Sequence, residues 1–387
     1  MATLRQGVNR NIGRILGTLR AEWQQLYNRY FGHIEHLEGD AKEICEQIVD
    51  RLWEGDFYRT SLGHFDFFWM RDFGTVAESL VKTGHKKHVL HTLKWALLQY
   101  RNSATVTTCI DKSGNCFNAP MHAVDTLPWL LHCLVVSDYD LNKSERKFLE
   151  HELRKYCRRY LDTTGHVRPI EFAEMRDAVI YDRSAYSVTL VGRMAWCVGQ
   201  LGLESFPYPL QKYQEELISR YWNGQYFNAD RATDAFSAEC ALFPFFLGVI
   251  EDEALAGATF DYITDNNYDD PFPMIYTKQS DEFAYHWWMT APFMPEYEAN
   301  TLWSWHGLFY LHSLRRYKRP EFETQRERFA EGMIEKHGMF PEMLNKDGSW
   351  YYAPVYRGDP GMVWAALYVD IATIGHRDMS RRARSSA

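Results

Sequence analysis

The amino-acid sequence predicts an all-α, single-domain (α/α)6 barrel, six helical hairpins closed into a toroid. Three observations lead there. Apolar residues recur at i, i+3, i+4 and i+7 along nearly the whole chain, whereas strand-like alternation is scarce and short. The helical segments alternate between two chemical kinds. The links between them alternate between short and long.

An amphipathic segment at about 8–32 (Ile12, Ile15, Leu16, Leu19, Trp23, Leu26) precedes twelve barrel helices. These begin near Asp40, Arg71, Lys86, His122, Asn142, Ser184, Pro209, Phe236, Glu251, Asn300, Pro320 and Pro360. Odd-numbered members such as SERKFLEHELRKYCRRYL and PEFETQRERFAEGMIEK carry charge on one side and an apolar stripe on the other, as helices that meet solvent do. They form an outer layer. Even-numbered members such as DTLPWLLHCLVV, AYSVTLVGRMAWCVG and FSAECALFPFFLGVI are apolar nearly all round, so they form a buried inner layer that includes Thr189, Phe245, Trp303 and Ala366. Inner-to-outer links are short, and outer-to-inner links are long and rich in Gly, Asp, Trp and Tyr. In a ring of antiparallel hairpins all the long links emerge at one end, and long loops inside a compact domain usually carry function. No Pro-, Gly- or Ser-rich linker divides residues 1–376. The Arg-rich stretch 377–387 reads as a frayed tail.

Composition narrows the function classes. The chain of 387 residues is 46% apolar and 24% charged, an ordinary globular balance. Its formal net charge is -8, and no basic stripe carries interleaved aromatics, so nucleic acid is not an expected partner. No apolar run reaches the roughly 20 residues that cross a bilayer, which argues against a membrane and for the cytoplasm. Seven cysteines without close pairing read as buried free thiols rather than zinc ligands or disulfides. No metal or organic cofactor is expected, and homo-oligomerisation is left open. Aromatic residues, at 16%, exceed what core packing needs, and sugar rings stack their C–H faces on such side chains.

The long links hold the candidate chemistry. The first ends in HFDFFWMRDF, whose Asp66, Trp69, Arg71 and Asp72 can hold sugar hydroxyls through charge-assisted hydrogen bonds. The second brings Asp125, which either caps its helix or faces the pocket. The third, EMRDAVIYDRSAYS, contains Glu174, Asp177, Tyr181, Asp182 and Arg183. Asp182 beside Tyr181, Ile180 and an apolar helix suits a general acid, because such surroundings disfavour the ionised carboxylate. Asp230 and Asp234 of the fourth link read as surface or capping residues. The fifth is the densest, with His286, Trp287, Trp288, Glu296, Glu298, Trp303 and Trp305, and stacking platforms are its expected role. The sixth presents Glu342 just after a proline, followed by Trp350, Tyr351 and Tyr352. Glycoside hydrolysis needs two carboxyls flanking one bond, and recurrent carboxylates in converging loops supply that requirement.

WMRDF at Trp69–Phe73, VDTLPWLL at Val124–Leu131, and YEANTLWSWHGLFYL followed by FPEM resemble recurrent elements of the six-hairpin glycosidase superfamily. The nearest likeness is to neutral or alkaline invertases, through RDF at Arg71–Phe73, DR at Asp182-Arg183 and PE at Pro341-Glu342. That resemblance implies Asp182 as the acid and Glu342 as the second catalytic carboxylate; should Glu342 not be that carboxylate, Glu296 or Glu298 of the fifth link is the next candidate. It implies an inverting, exo-acting hydrolase of a small glucoside or disaccharide. Two other classes share such toroids. An epimerase or polysaccharide lyase would require a proton-transfer pair, for which Tyr285 and His286 are the candidates, and a sugar-binding scaffold would need no chemistry.

Overall fold

A computed structural model describes residues 20, 23–119, 122–169, 175–287 and 292–373. The N-terminal segment enters it as helix α1 (23–31), and residues 8–19 and 21–22 of that segment and the 377–387 tail lie outside the described residues. The outer helices are α2 (Ala41–Arg51), α4 (Lys86–Ser103), α6 (Lys143–Tyr160), α8 (Leu210–Arg220), α10 (Glu253–Asp265) and α12 (Glu321–Phe329). Between them run the inner helices α3 (Met70–Leu80), α5 (Thr126–Val136), α7 (Ala185–Leu201), α9 (Ala238–Phe246), α11 (Ser304–Arg316) and α13 (365–373).

The helix starts have local causes. Asp40 accepts the Glu43 amide while the Glu43 side chain accepts the Asp40 amide, and Asn142 and Glu145 repeat that reciprocal arrangement at α6. Each such cap contributes about 1 kcal/mol. Ser184 and Asp252 cap α7 and α10. Burial separates the two kinds of helix as their composition requires. In α8 only Tyr213, Glu216 and Leu217 are buried, whereas α5 buries every residue from Thr126 to Leu134. Thr189, Phe245 and Ala366 are buried on inner helices, and Trp303 is buried immediately before α11.

Inner helices touch in chain order: α3 meets α5, α5 meets α7, α7 meets α9 and α9 meets α11. Helix α13 then returns to both ends of that series. Its Asp370 accepts from Ser79 of α3 at 3.1 Å and from Arg315 of α11 at 3.2 Å. Gly74 allows the close approach of α3 and α5, since a Cβ there would lie 2.7 Å from the buried Trp129 side chain.

Several inner helices start later than the sequence indicates, at Thr126, Ser304 and 365 rather than near His122, Asn300 and Pro360. Part of the reason is that long-link residues pair with one another instead of coiling. Strands β1 (Phe68–Trp69), β2 (Cys109–Ile110) and β3 (Cys116–Phe117) form one small sheet. β4 (Val179–Ile180) pairs with β5 (Ala284–Tyr285), and β6 (Leu302–Trp303) pairs with β7 (Met343–Leu344). These pairings tie the first link to the second, the third to the fifth and the fifth to the sixth. All seven cysteines are free, and Cys109 and Cys116 stand on neighbouring strands without a bond.

Candidate active site

Every long link feeds the N-terminus of an inner helix, so residues at those junctions converge. Arg71 and Asp72 open α3. The Arg71 Nε donates to Asp125 Oδ2 at 2.5 Å, and its guanidinium also reaches Asp177 Oδ1 at 3.5 Å. Asp125 stands at the cap position of α5 yet makes no capping hydrogen bond. It takes the Tyr186 hydroxyl at 2.9 Å instead, and its Oδ1 is buried without a hydrogen-bond partner among the described residues. Of the two roles open to Asp125, the side-chain cap is not made, and the carboxylate is held by Arg71 and Tyr186 instead.

Asp72 is bonded to Trp364 Nε1 at 2.9 Å. Burial, partly offset by Arg71, pushes its carboxyl up to about 7. Trp364 stacks on Trp305 at 4.3 Å, and Trp305 stacks in turn on Trp303. The indole Nε1 atoms of Trp69 and Trp305 and the Tyr276 hydroxyl are likewise buried and unpartnered among the described residues. A buried polar atom without a partner carries a desolvation cost, and these donors and one acceptor are of the kind that hydroxyl groups satisfy.

Glu342 lies across from this group, just before β7, with its backbone carbonyl held by the Ser304 amide and hydroxyl. Its side chain is buried. The Tyr356 hydroxyl lies 2.7 Å from both carboxyl oxygens, and the Asp359 amide donates to Oε2 at 2.8 Å. Burial first, and the neighbouring Asp359 second, raise the proton affinity of Glu342 well above that of an ordinary glutamate. Asp359 is displaced the opposite way. Although burial opposes it, contacts from His64 and Ser61 hold its carboxyl below the usual aspartate range.

The third link supplies Asp177. Its side chain remains 30% open, yet protein surrounds it closely enough that burial raises its proton affinity, with Arg71 pulling the other way and Asp125 adding to the rise. Glu298 fixes this segment by accepting the amides of Asp177 at 2.9 Å and Ala178 at 2.7 Å. Burial and the adjacent Asp177 raise the Glu298 carboxyl in turn. Beside them the fully buried Arg176 donates to the hydroxyls of Tyr181 and Tyr285 and to the Glu298 carbonyl. Tyr297 lies beside Tyr356, ring centroids 5.1 Å apart, and burial first, then Glu342, Glu298 and Asp177, raise its proton affinity.

The other expected site residues are placed differently. Asp182 is exposed rather than surrounded by apolar groups, and the adjacent Ile180 is exposed as well. Its amide donates to Asp230 Oδ2 at 2.9 Å, so it faces the fourth link. Asp66 belongs to an ion cluster with Arg59 and Lys112. Tyr181 turns inward to Glu239 at 2.6 Å. Arg183 adopts a left-handed backbone and gives its carbonyl to Tyr221. The His286 amide bonds the Ala178 carbonyl, Trp287 is exposed, and Trp288 and Glu174 lie outside the described residues. Glu296 accepts from Asn300. Trp303 is an internal platform, its Nε1 donating to the Tyr297 carbonyl and to Thr301, rather than a rim residue. Trp350 packs on His337, and Tyr352 is half exposed under Arg29, both away from the carboxyl cluster.

Sequence reasoning did not single out Arg176, Tyr276, Tyr297, Tyr356, Asp359 or Trp364. Only Asp359, in the RGDPG turn, carried a local signal, that of an aspartate before a Pro-Gly corner.

No family model matches the chain, and no curated protein is similar to it in sequence. Solved structures are similar to it in shape. A glycosidase variant in complex with glucose superposes with a TM-score of 0.63 at 11% identity, over 86% of this chain and 96% of that one. A GH63 mannosylglycerate hydrolase from Thermus thermophilus, in complex with Tris and D-glycerate, gives 0.56 at 13% identity, over 86% of this chain and 100% of that one. An uncharacterized conserved protein from the same organism gives 0.55 at 11%. The chain therefore has the fold of these glycosidases and spans nearly their whole length.

Proposed function

We propose that the protein is a six-hairpin toroid that hydrolyses a glycosidic bond with inversion, acting at the end of a small glucoside or disaccharide. The observation that carries this reading is the convergence of Asp72, Asp125, Asp177 and Glu342 at the junctions of long links and inner helices, beside unpartnered indole and phenol donors. The shared fold with solved glycosidases supports it.

Asp177 is the proposed acid in place of Asp182. Burial raises the proton affinity of Asp177, the direction that a general acid needs, and its proton would pass to the leaving glycosidic oxygen. Glu342 is the proposed base. Its oxygens take the Tyr356 hydroxyl and the Asp359 amide, donors that favour the ionised carboxylate a base requires. The water oxygen then bonds to the anomeric carbon as the bond to the leaving oxygen breaks. Arg71, Asp72 and Asp125 would hold sugar hydroxyls, with Trp305 as a flanking wall. Inversion calls for about 6.5–9.5 Å between the acid and the base.

The test is a screen of α- and β-glycosides and disaccharides, sucrose included because of the invertase-like elements, with products followed by NMR. A first-formed anomer opposite to that of the substrate supports inversion. Retention at the anomeric carbon refutes it, and release of an unsaturated or epimerised sugar refutes hydrolysis.

A further inference from the structure

The opposite end of the barrel holds a cavity of about 430 Å³. It is lined by the C-terminal halves of the inner helices and the short links that follow them, including Glu78 and Lys82 beside α3, His132 of α5, Arg193 of α7 and Arg316 of α11. The long links and the carboxyl cluster lie at the other ends of the same helices, so this cavity is distinct from the candidate active site.

Its charges are nearly balanced, with one exception. Lys82 pairs with Glu78 at 2.7 Å, Arg315 with Asp370 at 3.2 Å, and Arg316 with Glu251 at 2.5 Å. Arg193 has no carboxylate within ion-pair distance among the described residues. Burial holds the two lining histidines neutral, His132 down to about 3 and His312 to about 4, so neither adds to nor offsets the charge.

Arg193 is nevertheless oriented. Its Nε contacts His132 Nδ1 at 3.2 Å, and its guanidinium carbon lies 4.0 Å from the Trp196 ring centroid. A stacked guanidinium with its Nε engaged is fixed in plane, which leaves the two terminal nitrogens to offer parallel N–H donors, the geometry that a carboxylate or phosphate accepts. Glu78 and Glu251 act on Arg193 only from beyond ion-pair distance, each already paired elsewhere, and Arg316 opposes them. A half-buried cation without a directly paired anion is costly, so the cavity favours a negatively charged occupant.

We propose that this cavity is a second ligand site, which takes a small oxyanionic molecule through its carboxylate or phosphate, with Arg193 as the anchor and Lys82 at the rim. Isothermal titration calorimetry of the full chain with inorganic phosphate, and separately with citrate, tests it and tells the two oxyanion sources apart. Saturable binding of at least one probe is expected, weakened about tenfold or more by Arg193→Gln, since a charge-assisted pair is worth at least that factor. Lys82→Glu, at a side chain that is 48% exposed, should weaken it severalfold without endangering the fold. If neither probe gives a saturable heat, or if the wild type and both variants bind alike, the proposal is overturned. Should Arg193→Gln not fold, Lys82→Glu alone decides. Because the readout is binding rather than turnover, the result is independent of the glycosidase reading.

Discussion

Replacing Asp177 by Asn removes the proposed acid without changing side-chain volume, and the structure indicates how cleanly it does so. The Asn carbonyl oxygen can still accept the longer Arg71 contact, at 3.5 Å, so only the charge of that pair is lost, and Arg71 keeps the 2.5 Å bond to Asp125. The backbone of the segment stays pinned, because Glu298 holds the amides of Asp177 and Ala178 rather than the Asp177 side chain. The fold should therefore survive, with a change in stability of less than about 1 kcal/mol, as for a partly exposed ion pair. Turnover should not. A positioned general acid is worth about 100-fold to 10,000-fold, or roughly 3 to 5 kcal/mol of activation free energy. Asp182→Asn is the matched control, and its exposed side chain predicts a loss of about threefold or less. The assay is the steady-state kcat of purified variants on the first glycoside identified by the screen, with melting curves to confirm folding. A larger loss in Asp182→Asn than in Asp177→Asn would refute the reassignment and restore Asp182 as the acid. Full activity in both would remove the third link from the chemistry.

Glu342→Gln should lower kcat by a similar factor, about 100-fold or more, while circular dichroism stays unchanged. Tyr356→Phe removes a hydroxyl that favours the ionised Glu342, so the acidic limb of the kcat/KM profile should move to higher pH; an unmoved or downward-shifted limb would argue against Glu342 as base. Asp72 has a folded-state affinity raised to about 7 from about 4, so its contribution to stability is present below about pH 4 and lost as pH rises through about 7. The stability of Asp72→Asn relative to wild type should consequently improve between about pH 4 and 7, as read from urea midpoints at each pH. Gly74→Ala should destabilise by about 1 to 3 kcal/mol in chemical denaturation, because the new methyl meets Trp129 at 2.7 Å in a region where both helices are buried.

The alternation of helix kinds was legible because it is a property of periodicity. A helix such as 143–160, with charges along one side, can face only one way, and the run of Thr126–Val136, with no charge at all, must be enclosed. From that alternation and the lengths of the links, the sequence alone also indicated that the long links gather at one end of the inner helices. Arg71, Asp72, Asp125, Asp177 and Glu342 were visible within those loops as polar residues next to apolar helix starts. What the sequence could not rank was their roles, since a carboxyl acquires its proton affinity from groups far away in the chain. Asp72 depends first on the burial that the fold imposes, Asp177 on burial and on Arg71 and Asp125, and Glu342 on burial and Asp359. Asp182 illustrates the difference. Its immediate neighbours in sequence are partly apolar, but the tertiary structure turns it outward toward Asp230 and gives the interior position to a residue five places earlier. Aromatic side chains divide likewise: Trp303 and Trp305 were both legible as stacking residues, but only packing decided that the Trp303 indole is consumed by Tyr297 and Thr301 while that of Trp305 is left unpartnered. Local pattern sets which face of a helix is buried, whereas the electrostatic identity of a buried group is set by which distant groups the fold packs against it.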